Sequence, residues 1–166
     1  MQIKEVFSPP EIIAVVKLAD EIWNEYYPSI IGQDQVNYML ETFQTAKAIH
    51  AQIQEGYHYF ILKENETLLG YMAVQKQDYS LFLSKLYIQK DDRKKGYAKE
   101  ALLFLEDNVK KEGLHSISLT VNIHNSTAIN AYERLGFIKT GSLVQDIGNG
   151  FKMDDFSFEL PVKNRE

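Results

Sequence analysis

A short basic loop that contains one glycine is the part of this sequence whose residue types and spacing most directly suggest chemistry. Arg93-Lys94-Lys95-Gly96-Tyr97-Ala98 lies between an apolar stretch and an amphipathic one, so it joins a predicted strand to a predicted helix. The start of a helix presents unpaired backbone N–H groups and the positive end of the helix dipole, which suits phosphate. Because Gly96 lacks a Cβ, backbone amides can approach a pyrophosphate closely. The loop is therefore predicted to bind an anionic ligand.

The charge distribution favours a small anionic ligand over a polyanion. The chain has a formal net charge of −5, which makes DNA or RNA an unfavourable main partner. The segment from Lys85 to Lys99 nevertheless contains six cations and only two anions. A solvated loop is the simpler alternative for such a run of charge.

Length and composition indicate one globular domain over residues 1–166, with 45% apolar and 25% charged residues. No apolar run is long enough to cross a bilayer, and the N-terminal segment lacks the apolar core of a signal peptide. We therefore expect a cytoplasmic protein without a membrane partner. Cysteine is absent, which excludes disulfides, thiolate metal ligands and a cysteine nucleophile. The histidines show no metal-ligand spacing, so no metal is predicted.

The periodicity of apolar residues predicts helices first and then a sheet. Helical spacing runs from Pro9 to Tyr27, from about Asp34 to Phe43, and from Ala46 to Gln54. From Tyr57 onward the sequence predicts a β-hairpin and the strand LFLSKLYI. That strand, the helix after the basic loop and the strand SISLTVN form a predicted parallel βαβ unit. A short helix and two final strands follow. The expected fold is α/β (α+β): a mixed, mostly antiparallel sheet with a central parallel βαβ unit and helices on both faces.

Two stretches together resemble the signatures of the GNAT superfamily of N-acetyltransferases. Arg93 to Ala98 matches its acyl-CoA-binding pattern, Gln/Arg-x-x-Gly-x-Gly/Ala, after a strand that ends in Leu86-Tyr87-Ile88. Asn125 to Phe137 resembles the second signature, Asn…Ala…Tyr…Gly-Phe, in the expected order and separation. The resemblance implies one GNAT-like, acyl-CoA-dependent domain over residues 1–166, with acetyl-CoA as co-substrate.

The resemblance also implies roles for individual residues. In the family, the strand before the loop is splayed from its neighbour by a bulge and pairs with the pantetheine arm, so the Leu86 amide is expected to polarise the thioester carbonyl. Tyr132 matches the general acid that protonates the departing CoA thiolate. Asn125 is expected to contact the pantetheine arm or to cap its helix, a cap that Ser126 would otherwise provide. The loop amides are expected to hold the pyrophosphate, with Lys94, Lys95 or Lys99 adding charge. The predicted catalytic residues are Leu86 and Tyr132, and the predicted cofactor-binding residues are Leu86, Tyr87, Ile88, Arg93, Lys94, Lys95, Gly96, Tyr97, Ala98, Asn125 and Tyr132.

The general base is not assigned by the sequence. Many relatives place a glutamate on the strand before the phosphate loop, but Leu81 to Gln89 contains no carboxylate. A water chain held by backbone carbonyls, Ser84 or Tyr87 is one alternative. A carboxylate from elsewhere in the chain, Glu25 or Asp154, is the other.

The expected reaction moves an acetyl group to a primary amine by direct attack in a ternary complex, because no cysteine is present to form an acyl-enzyme. The acidic net charge and the pair Asp154-Asp155 favour a small cationic amine or a polyamine as acceptor. The alternatives are a peptide N-terminus or a protein lysine, and a non-catalytic acyl-CoA-binding module. A nucleotide-binding P-loop is disfavoured, because the loop lacks the Gly-Lys-Ser/Thr ending that positions Mg²⁺. The sequence leaves the oligomeric state open, with a homodimer as one option.

Overall fold

The computed structural model describes residues 1–163. In chain order its elements are β1 (Gln2–Glu5), α1 (Pro9–Tyr26), α2 (Pro28–Ile31), α3 (Gln33–Phe43), α4 (Ala46–Gln54), β2 (Tyr57–Glu64), β3 (Thr67–Lys76), β4 (Ser80–Ile88), a 3-10 turn (Lys90–Asp92), α5 (Tyr97–Lys111), β5 (Ser116–Asn122), α6 (Ser126–Arg134), β6 (Ile138–Gly148) and β7 (Phe151–Pro161). The helices and strands predicted from periodicity are all present. The sequence did not predict β1 or the short α2.

The strands form a hydrogen-bonded sheet in the order β1-β2-β3-β4-β5-β7-β6. The pairs β1–β2, β2–β3, β5–β7 and β6–β7 are antiparallel. β4 and β5 are parallel, with Ser80 opposite Ser116 and Phe82 opposite Ser118. The predicted α/β fold, with a mostly antiparallel sheet and a parallel β4–α5–β5 unit, is therefore confirmed.

Contacts within the chain are concentrated in two compact units. The first comprises Met1–Gln75 with Lys85–Ala101, and the second comprises Lys76–Ser84 with the chain from Leu102 onward. The division falls inside β4 and inside α5, so each of these two elements contributes residues to both units. The single domain predicted over residues 1–166 stays a prediction, and its residues 164–166 lie outside the described range.

The first unit is built on an amphipathic α1. The helix begins after Ser8, whose backbone N–H donates to the Glu11 carboxylate at 2.9 Å in a capping box. The hydrogen bonds from Ser8 and from the Phe7 amide lower the pKa of Glu11 to about 2. The apolar face of α1 is buried, and the core of the unit includes the fully buried Val15, Ala19, Ile49, Leu62 and Met72.

The second unit contains the C-terminal strands and α6. β5 is paired on one side with β7 along its whole length, from Ser116 opposite Pro161 to Asn122 opposite Asp155. The inward-facing Leu105, Val109, Ile117 and Phe158 form its core, each no more than 1% exposed.

Candidate active site

The loop before α5 contains two residues with left-handed backbone conformation. Lys94 adopts a φ of +63° and Gly96 a φ of +86°, so two residues of this short segment are left-handed. α5 begins directly afterwards, at Tyr97, and its 15 residues carry a full helix dipole. A Cβ added to Gly96 would meet no atom within 4 Å, which shows that the space beside the glycine is open. The predicted loop residues thus form an accessible turn at a helix start.

The cations of the loop divide into two groups. Arg93 is turned towards the protein: its Nε donates to the Ile88 carbonyl at 2.9 Å, and its Nη2 lies 2.7 Å from the Glu25 carboxylate. Lys94, Lys95 and Lys99 are exposed, and Lys95 forms only a long ion pair of 3.7 Å with Asp92. Arg93 therefore fixes the position of the loop, whereas the lysines remain available to an anion in solvent.

The C-terminal half of β4 lies very close to β3. A Cβ added to Gly70 of β3 would be 1.9 Å from the Tyr87 carbonyl oxygen and 3.0 Å from the Ile88 Cα. The strand end is further fixed because the Gln89 amide donates to the Leu69 carbonyl at 2.8 Å. Only glycine permits this approach of two backbones. Gly70 thereby sets the position of the predicted pantetheine platform, Leu86-Tyr87-Ile88.

The first unit also contains a chain of side-chain hydrogen bonds in which each donor and each acceptor is determined. Trp23 Nε1, which can only donate, gives its proton to Tyr71 Oη at 3.0 Å, so the Tyr71 hydroxyl donates onward to Gln44 Oε1 at 2.8 Å. Gln44 Nε2 donates to Tyr59 Oη at 3.3 Å, and Tyr59 donates to Gln52 Oε1 at 2.5 Å. Burial raises the pKa of Tyr59 to about 12 and that of Tyr71 well above its ordinary value. Both phenols are therefore neutral donors in the physiological pH range.

Lys85 of β4 contacts this network. Its Nζ donates to Tyr59 Oη at 3.2 Å and lies 5.5 Å from the centre of the Tyr59 ring. Among residues 1–163, none of the ion pairs involves Lys85. Burial without a carboxylate partner lowers the pKa of Lys85 to about 7. The sequence signal for this site is a cation inside a mostly apolar strand.

The structure narrows the choice among the predicted general bases. Glu25 is occupied by its ion pair with Arg93. Tyr87 Oη accepts a hydrogen bond from Tyr27 Oη at 2.9 Å, and Ser84 is half-buried on β4. Asp154 of the second unit is exposed, whereas its neighbour Asp155 is buried. The alternation of β7 thus directs Asp154, one of the two carboxylates suggested by the sequence, towards solvent.

The second unit places Asn125 and Tyr132 on one short helix. Asn125 is buried and caps α6, since its side-chain oxygen accepts from the Ala128 amide at 3.3 Å. Tyr132 is half-buried and packs edge-on against Phe137, with ring centres 5.3 Å apart. Gly136, at a φ of +101°, ends the helix and lets the Phe137 amide bond back to the Tyr132 carbonyl at 3.0 Å. The second sequence signature is therefore one helix with both of its caps.

Burial of the Asp155 carboxyl should make the stability of the protein depend on pH. Its burial, and next the charge of Asp154, raise the pKa of Asp155 to about 6, while a hydrogen bond with Thr120 acts in the opposite direction. A raised pKa means that the folded state binds the proton more tightly. The contribution of Asp155 to stability is therefore greatest below its ordinary pKa of 3.8 and is lost as the pH rises through about 6. We expect Asp155→Asn to increase the free energy of unfolding at pH 8 by up to about 3 kcal/mol, and to change it little at pH 4.

Urea unfolding at the two pH values measures this difference. Asp154→Asn is the matched control, because that side chain is exposed and its removal acts only through the neighbouring charge. An effect of Asp155→Asn that is the same at both pH values would contradict a raised pKa for Asp155.

None of the helices within residues 1–163 is long and apolar enough to span a bilayer. Over the same residues, the structure contains no group of three or more His, Cys, Asp or Glu side chains placed to hold a metal ion.

A strand, a glycine-containing loop and a helix in this order, inside a mostly antiparallel sheet with one parallel unit, form the arrangement expected of an acyl-CoA-dependent transferase fold. The family profile described as "Acetyltransferase (GNAT) domain" matches residues 29–157. The chain therefore belongs to the GNAT acetyltransferase family.

Individual relatives agree with this placement. A Bacillus subtilis protein described as the uncharacterized N-acetyltransferase YycN is 33% identical over 89 residues, and the match spans 51% of this chain and 57% of that protein. PaiA N-acetyltransferase from Thermoplasma acidophilum, solved with coenzyme A, superposes with a TM-score of 0.75 at 20% identity, over 97% of this chain and 99% of that one. Spermidine N-acetyltransferase from Vibrio cholerae, solved with CoA and spermine, gives a TM-score of 0.70 at 18% identity, over 97% and 95% of the two chains. At these identities the two solved structures show a shared fold.

Proposed function

We propose that this protein transfers an acetyl group from acetyl-CoA to a primary amine. The observation that carries the proposal is the turn at Lys94 to Gly96, with its left-handed residues, open space and exposed lysines at the start of α5. It supplies amides, dipole and charge for a pyrophosphate. Membership of an acetyltransferase family and two relatives solved with CoA support acetyl-CoA as the donor.

In the proposed mechanism, backbone groups and side chains have different roles. The backbone of Leu86 to Ile88 pairs with the pantetheine arm, and the Leu86 amide stabilises the negative charge that develops on the thioester oxygen. The amine attacks the carbonyl carbon directly, and Tyr132 donates a proton to the departing thiolate. Asn125 positions Tyr132 by capping α6 and is available to the pantetheine arm.

A small amine, with polyamines first, is the proposed acceptor class. The acidic net charge of −5 supports a cationic acceptor, and the Vibrio cholerae relative is named for spermidine. A peptide N-terminus or a protein lysine is the alternative acceptor. A cytoplasmic location and a homodimer stay predictions.

A binding measurement tests the donor assignment. Acetyl-CoA at about a hundred times its Kd is expected to add about 2.7 kcal/mol to stability, and ATP at the same concentration is expected to add little. For a chain of this size that corresponds to a rise in Tm of about 5–10 °C. Stabilisation by ATP alone would contradict the proposal, and CoA release with a panel of primary amines then distinguishes a transferase from a binding module.

A pair of glycine variants tests whether the loop around Gly96 binds acetyl-CoA. Gly96 and Gly56 both have positive φ, +86° and +105°, and neither has an atom within 4 Å of an added Cβ. Gly96→Ala and Gly56→Ala therefore carry similar backbone strain, about 1 kcal/mol each. We expect only Gly96→Ala to weaken acetyl-CoA binding, by about tenfold or more, because its methyl group occupies the space beside the loop amides. Equal affinities in the two variants would remove the loop from the donor site.

A further inference from the structure

We propose that Lys85 is the general base that removes a proton from the acceptor amine. The inference rests on the proposed acetyl transfer and names a catalytic residue for it. Amines are protonated at neutral pH, and an ammonium group has no lone pair with which to attack a thioester. Some group must therefore take that proton, and β4 carries no carboxylate.

The position of Lys85 suits this role. Lys85 directly precedes Leu86, so its side chain starts one peptide unit from the amide proposed to hold the thioester oxygen. Lys85, Leu86 and Tyr87 all keep partial solvent exposure, so a ligand can reach this part of β4. A general base has to lie within hydrogen-bond reach of the proton that it removes, and a flexible lysine side chain adapts to acceptors of different size.

The hydrogen-bond directions around Lys85 leave its lone pair available. Tyr59 has one hydroxyl proton, and it is donated to Gln52 Oε1. The orientation of Gln52 is fixed because its Nε2 donates to the Phe43 carbonyl at 2.9 Å. Tyr59 thus faces Lys85 with an oxygen lone pair and accepts from Nζ at 3.2 Å. A neutral Lys85 uses one N–H in that bond and keeps its own lone pair for the acceptor.

The groups around the hydrogen bond of Lys85 also favour the neutral amine. Lys85 contacts the neutral phenol of Tyr59, which stacks on the neutral phenol of Tyr71 and donates to the amide of Gln52. Tyr87, two residues further along β4, accepts from the hydroxyl of Tyr27, and the Glu25 carboxylate of α1 is paired with Arg93. No uncompensated anion among these groups holds the ammonium form, and burial lowers the pKa of Lys85 to about 7. A neutral Lys85 does not repel a cationic acceptor.

With Lys85 as the base, every proton in the reaction is accounted for. The acceptor ammonium gives one proton to Lys85 Nζ, and the resulting amine forms the C–N bond as the C–S bond breaks. The nitrogen loses its second proton to water as the amide forms, and Tyr132, which has given its own proton to the thiolate, takes one back from water. Lys85 then releases its proton to water, while its bond to Tyr59 holds it in place.

The test is the pH profile of CoA release in Lys85→Met and Lys85→Arg. The acceptor is the primary amine that the wild-type protein turns over fastest in the panel, at saturating acetyl-CoA. We expect the wild-type kcat/KM for the amine to rise with pH to a plateau through a midpoint near 7, the value to which burial lowers the pKa of Lys85. Lys85→Met should lower kcat/KM at pH 7 by about a hundredfold or more and remove this midpoint. Its rate should approach that of the wild type at a pH where the free amine is already neutral.

Lys85→Arg, which stays charged, should resemble Lys85→Met in rate, and both variants should bind acetyl-CoA as the wild type does. A methionine variant with the wild-type pH profile would overturn the inference and leave the proposed function intact. A wild-type protein that binds acetyl-CoA but acetylates no amine in the panel would overturn the proposed function itself. A variant that merely packs poorly would lose rate equally at all pH values, which also contradicts the role of a base.

Discussion

Tyr132→Phe is expected to lower kcat by about a hundredfold to ten-thousandfold while the Kd for acetyl-CoA stays within about twofold of the wild-type value. The loss corresponds to about 3–5 kcal/mol of transition-state stabilisation. A phenol with an ordinary pKa of about 10 can donate to a thiolate whose conjugate acid lies near 8.5, and phenylalanine has no proton to give. Stopped-time assays of CoA release measure kcat, and calorimetric titration measures the affinity.

The structure makes this substitution a conservative one. The ring of Tyr132 is half-buried against Phe137, and phenylalanine retains that edge-on contact. The bond that closes the helix end joins the Phe137 amide to the backbone of Tyr132 and is unaffected by the side chain. Tyr79→Phe is the matched control, because Tyr79 is 72% exposed and lies outside the proposed site. A kcat that is the same in Tyr132→Phe and Tyr79→Phe would remove Tyr132 from the mechanism.

Gly70→Ala is expected to reduce both stability and donor binding. The added methyl carbon would lie 1.9 Å from the Tyr87 carbonyl oxygen and 2.9 Å from its carbon. Both atoms belong to the backbone, so no change of rotamer relieves the overlap and β4 has to move away from β3. We expect a loss of about 2–4 kcal/mol in the free energy of unfolding, which is in the range of overpacked sites. Because Tyr87 and Ile88 form the proposed pantetheine platform, the affinity for acetyl-CoA should fall as well.

Gly141→Ala is the control for this prediction. Gly141 also lies in a strand, but an added Cβ meets no atom within 4 Å, so the substitution should change stability by less than about 1 kcal/mol. Urea unfolding and calorimetric titration with acetyl-CoA compare the two variants. If Gly70→Ala matched Gly141→Ala in both measurements, the close approach of β3 and β4 would have no role in the site.

Much of the fold followed from local sequence patterns. The change from helical to strand periodicity at Tyr57 predicted the order of the elements, because side-chain spacing depends only on neighbouring residues. The helix start after Gly96 and the cap at Asn125 were likewise readable, since both are set by the conformational freedom or hydrogen bonding of one residue. β1 was missed because four residues give too short a pattern, and its structure depends on pairing with β2, more than fifty residues later in the chain.

Other features depended on residues that are distant in sequence. The requirement for glycine at position 70 comes from the Tyr87 carbonyl, and nothing near Gly70 in the sequence indicates that contact. Which member of the pair Asp154-Asp155 is buried depended on the register of β7 with β5, since a shift of one residue would exchange their environments. The sequence therefore supported Asp154 as a candidate base, while the structure places Asp155 in the interior.

By itself, the sequence was enough to predict the donor half of the proposed site. Arg93 to Ala98 and Leu86 are proposed to act mainly through backbone groups, and backbone conformation follows from local glycine placement and helix starts. The tertiary structure alone decided the environment of Lys85. Lys85 donates to Tyr59, and Tyr59 is the acceptor in that bond because its own proton goes to Gln52, which Phe43 orients from another part of the chain. The pKa of Lys85 is set by its desolvation, which depends on what packs around it, and so no local pattern could have revealed it.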